Sequence, residues 1–61
     1  MSIQEVQQAY IAWQFAVGSY QYARQQGDVQ ATARAEQVMI DRYADYLLAR
    51  DQYEKGVMPA A

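Results

Sequence analysis

The chain is expected to be all-α: an antiparallel two-helix hairpin that completes a helical bundle by oligomerisation. Three observations carry this expectation. The composition is helical, rich in alanine, glutamine and tyrosine, with three glycines and one proline in 61 residues. Apolar residues recur at heptad spacing in both halves of the chain. The two heptads are out of phase, and the break falls at Gly27-Asp28.

The first helix is expected over about residues 3–26. Ser2 and Glu5 stand at capping-box spacing, where a serine oxygen accepts from the amide three residues on and the glutamate reaches back. Ile3, Val6, Tyr10, Trp13, Val17 and Tyr20 then follow at 3-4-3-4-3, a seam suited to another helix. The seam fails at Arg24 and Gly27. Glycine suits the left-handed position after a helix end, and aspartate is a good N-cap. A turn at 27–28 is therefore expected, and a second helix from about 29 to 55. Its seam is Ala35, Met39, Tyr46, Ala49 and Tyr53, interrupted by Arg42, with Ile40, Tyr43 and Leu47 beside it. Asp28 and Lys55 suit the positive and negative ends of that helix. Gly56 is expected to stop it and Pro59 to prevent its resumption. The hairpin thus occupies 1–56 and leaves a short tail at 57–61. Folding about the turn sets Trp13 opposite Tyr43, Tyr10 opposite Tyr46 and Leu47, and Val17 opposite Met39 and Ile40.

One partner helix cannot cover the first helix. Ala9, Ala12, Ala16, Ser19 and Ala23 form a stripe of small residues, which reads as a tight contact face. Ile11, Phe15, Gly18 and Tyr22 form a further apolar stripe on the far side. A glutamine ridge, Gln7, Gln14 and Gln21, is the part suited to water. Small chains seldom build a sufficient core alone and turn to disulfides, metal or association. Cysteine and histidine are absent, so association is expected. The interface residues expected are Ile11, Phe15, Gly18 and Tyr22, with Ala12, Ala16, Trp13 and Tyr43.

The same absences exclude most chemistry. No thiol nucleophile or zinc cluster can form, and the commonest general base is missing. Ser2, Ser19 and Thr32 have no base, so neither catalytic residues nor a cofactor site are expected. Asp41 and Asp45 share a helix face at i and i+4, but lack a third ligand and read as a solvated face. Glu36 and Arg50 each lie seven residues from Tyr43 on the apolar arc. They suit either a rim position with packed stems or a polar pair fixing register between chains. Residues 6–23 carry no charge, but their glutamines disfavour a membrane span. With no basic n-region or leucine-rich core, a signal peptide is not expected, and the location expected is cytoplasmic or within a soluble assembly such as a virion.

The expectation is a non-enzymatic interaction module: an accessory or assembly subunit, a chaperone or an inhibitor acting by helix packing. Small cysteine-free proteins of this kind are frequent in bacteria and phages, and such a source is expected. Its partner is itself, as dimer or tetramer, or a larger protein, or both. The alternative is a dimeric hairpin regulator binding structured RNA or DNA. In layout alone the hairpin resembles small plasmid copy-control proteins that dimerise into four-helix bundles and bind RNA, an analogy that does not carry function. A net charge of −2, with Arg34, Arg42 and Arg50 forming no stripe, argues against nucleic acid.

Overall fold

The computed structural model describes residues 2–57. It consists of α1 (Ile3–Gln25) and α2 (Val29–Val57), packed against each other along their length, with no strand among the described residues. Its Cα extents are 52 × 15 × 11 Å, so the hairpin is two helices wide and one helix thick.

Local chemistry sets the ends of the elements. Ser2 is extended (φ −89°, ψ 159°), and its Oγ accepts from the Glu5 amide at 3.3 Å. The return bond from the Glu5 carboxylate is not formed, so half of the capping box is in place. At the turn, Gly27 has φ +72°, the left-handed region in which a Cβ is penalised. Its amide donates to the Arg24 carbonyl at 3.2 Å. Asp28 then caps α2: its Oδ1 accepts from the Ala31 amide at 3.0 Å. The Asp28 carbonyl accepts from the Thr32 amide at 2.9 Å and from the Thr32 hydroxyl at 2.7 Å. Such a cap is worth about 1 kcal/mol. α2 does not stop at Gly56. It runs through that glycine to Val57, two residues past the expected end at 55. Gly56 does not adopt positive φ, and a helical glycine costs only about 1 kcal/mol relative to alanine. Pro59 and the rest of the tail at 58–61 lie outside the described residues.

The seam between the helices is rotated from the expected one. Along α1 the buried and half-buried line is Val6, Ala9, Trp13, Ala16, Tyr20 and Ala23. It keeps the 3-4 rhythm and shares Val6, Trp13 and Tyr20 with the expected seam, but turns about 60° toward the small-residue stripe. Ile3 and Tyr10 are left exposed at its edge. The physical reason is size. Alanines let the two backbones approach, and Ala16 and Ala23 of α1 are buried, as is Ala49 of α2. On α2, Ala35, Met39, Tyr46 and Tyr53 are half-buried, matching the phase read there.

Four aromatic rings hold the middle of the hairpin. Trp13 lies 4.8 Å from Tyr43 and stacks at 6.1 Å on Tyr46, while Tyr10 meets Tyr46 edge-on at 5.4 Å. Contacts of this geometry contribute about 0.5–1.5 kcal/mol each beyond area burial. Arg50 sits over the Tyr46 ring at 5.7 Å.

Candidate functional site

Most of the charged side chains in the second half of α2 are occupied with one another on the surface. Asp41 accepts from the Gln37 amide at 3.0 Å, and Asp45 lies 3.8 Å from Arg42. Lys55 pairs with Asp51 at 3.0 Å, and Arg50 approaches Glu54 at 3.9 Å. No three metal-ligating side chains gather among the described residues. Glu36 and Arg50 both stand at the exposed rim, not inside the hairpin. No described helix is long and apolar enough to cross a membrane.

What remains is apolar surface on α1. A straight helix advances about 100° per residue, which sets Ile11, Phe15, Gly18 and Tyr22 on the side facing away from α2. Phe15 is 75% exposed, Tyr22 65% and Ile11 52%. Together with Gln14 and Ser19 these residues line a shallow open groove. Gly18 forms its floor: a Cβ built there would meet nothing within 4 Å. Lone exposed apolar residues are ordinary, but two aromatics and an isoleucine flanking a glycine on one ridge form a contiguous patch of the kind that marks binding surfaces.

The other residues singled out in the sequence lie elsewhere. Ala16 is buried and Ala12 half-buried on the side toward α2, so the tight contact face is used within the chain. Trp13 is half-buried in the aromatic cluster, and Tyr43 stands at its edge, 42% exposed. Tyr43 and Ile40, with Trp13 and Met39, line a second groove that runs across both helices. Sequence reasoning did not separate this surface from the seam. The available signal was that Tyr10 and Val17 each follow directly after a residue of the observed seam, and Tyr43 follows the heptad position that Arg42 interrupts.

Compared with protein-family models, with curated proteins and with solved structures, the chain matches none.

Proposed function

We propose that this chain is a non-enzymatic interaction module, an accessory or assembly subunit, chaperone or inhibitor, that docks through the outer ridge of α1 onto another protein. The observation that carries the reading is Phe15: three-quarters exposed, flanked by Ile11 and Tyr22, and beside an open glycine floor. Aromatic side chains are favoured anchors because they bury a large area for few rotatable bonds. The groove over Gly18 would receive a side chain or a helix of the partner. Protein is favoured over nucleic acid as the partner because three of the five cations, Arg42, Arg50 and Lys55, have carboxylates within 4.0 Å. A phosphate-binding face needs its cations free and clustered.

The test is a photo-crosslinking side chain in place of Phe15, used in cells that express the protein naturally, with mass spectrometry of the adducts. A discrete adduct with a protein chain is expected, and Phe15→Asp should abolish that association while keeping helical circular dichroism. Absence of any protein adduct, or a Phe15→Asp variant that associates and functions like wild type, refutes the reading.

A further inference from the structure

The hairpin carries more surface than a monomer of its mass. Its accessible area is 4845 Å², whereas a folded monomer of 7.0 kDa exposes about 4,000 Å². The surplus of about 800 Å² equals what one partner contributes to a standard stable interface. Among the described residues only Val6, Ala16, Ala23 and Ala49 are buried, each still 7–8% exposed, and none of them is large.

The uncovered area has a definite side. In an antiparallel pair, the residues directly following Ala9 and Ala16 on α1 and Ala35, Arg42 and Ala49 on α2 fall on one flat side of the hairpin. These are Tyr10, Val17, Glu36, Tyr43 and Arg50; Arg24, which follows Ala23 in the same way, lines a groove with Glu36 at the turn end. Ile40 and Leu47 lie beside Tyr43 on the same side. The α2 portion therefore reads Glu36, Ile40, Tyr43, Leu47, Arg50: the acid and the base each stand seven residues from Tyr43, with Ile40 three before it and Leu47 four after it. Glu36 has no cation within 4.0 Å among the described residues, and Arg50 has only Glu54 at 3.9 Å.

We propose that this flat side is a homodimer interface, in which a second copy lays its α2 antiparallel on the first about a two-fold axis beside Tyr43. Tyr43 then meets its own counterpart, and Ile40 meets Leu47 of the second copy. Glu36 meets Arg50 of the second copy, twice by symmetry. On α1 the same operation sets Tyr10 against Val17 of the second copy, large against small. A two-fold interface must be self-complementary, and this surface is so in the placement of its two charges. A two-fold axis along the helices would instead lay α2 on α1 of the second copy, and Glu36 and Arg50 would not meet. The polar ends thus fix the register as well as the direction. This goes beyond the outer ridge and does not rest on it, since Phe15 lies about 140° round α1 from Tyr10.

Charge reversal tests the proposal directly. Within one chain Glu36 and Arg50 are about 21 Å apart along α2, too far to pair, so any rescue between them must come from two chains. Sedimentation equilibrium at micromolar concentration should show a dimer for wild type. Glu36→Arg and Arg50→Glu should each weaken it at least about tenfold with helical circular dichroism retained, because each creates two like-charge contacts. The double variant should return to within about threefold of wild type. Phe15→Asp should leave the dimer intact. A monomeric wild type, single reversals without effect, or a double variant that adds the two losses overturns the proposal. A dimer lost through Phe15→Asp but indifferent to Glu36 and Arg50 also overturns it, and leaves the reading of the outer ridge standing.

Discussion

Gly18→Ala should move stability and partner affinity in opposite directions. Alanine is favoured over glycine by about 1 kcal/mol in a helix interior, because glycine gives up more backbone freedom on folding. That gain survives only where the new methyl group has room. At Gly18 a Cβ meets nothing within 4 Å, so the free chain should keep the full increment. For a domain of this size, 1 kcal/mol corresponds to a rise in Tm of about 4–8 °C. Thermal melts followed by circular dichroism measure this for the purified protein. The flat-side dimer leaves Gly18 uncovered, so the same rise is expected whether or not the chain is dimeric. With the outer-ridge partner the sign reverses. A partner seated on the floor of the groove would meet the added methyl, so the adduct formed from position 15 should fall or stay level. An unchanged or lowered Tm of the free chain would refute the argument from open space. A raised Tm with strengthened partner association would show that Gly18 is merely tolerated in the helix.

Two further substitutions probe the turn and the aromatic cluster. Gly27→Ala should destabilise the hairpin by about 1–2 kcal/mol, since φ is +72° and a Cβ is penalised there whatever the space around it; urea melts would show the midpoint falling. Trp13→Ala should cost about 3 kcal/mol, the lower end for an aromatic truncation because Trp13 is half-buried, and so leave a largely unfolded chain at room temperature. Retained two-state unfolding with less than about 1 kcal/mol lost would show that the cluster is incidental to stability.

The sequence by itself determined the helices, the turn and the absence of imidazole and thiol groups, because each depends on local chemistry or composition. Ser2 and Asp28 act as caps through their own side-chain oxygens, and Gly27 turns the chain because it lacks a Cβ. Without histidine or cysteine, no packing arrangement can supply an imidazole base, a thiolate nucleophile or a Cys/His metal cluster. The exposed ridge of Ile11, Phe15 and Tyr22 was legible for a related reason: helical spacing sets it nearly opposite any seam that includes Val6, Trp13 and Tyr20. Tertiary structure decided which of the competing stripes on α1 became the seam. Hydropathy favours the line through Ile3, Tyr10 and Val17, but two helices gain more by bringing their backbones together, and Ala16, Ala23 and Ala49 permit that approach. The rotation of about 60° that follows left Tyr10 and Tyr43 at an open edge, and so made a flat apolar side that no one-helix pattern contains. The extension through Gly56 was decided the same way: a glycine permits a stop, but only the conformation of the assembled chain shows whether it is used.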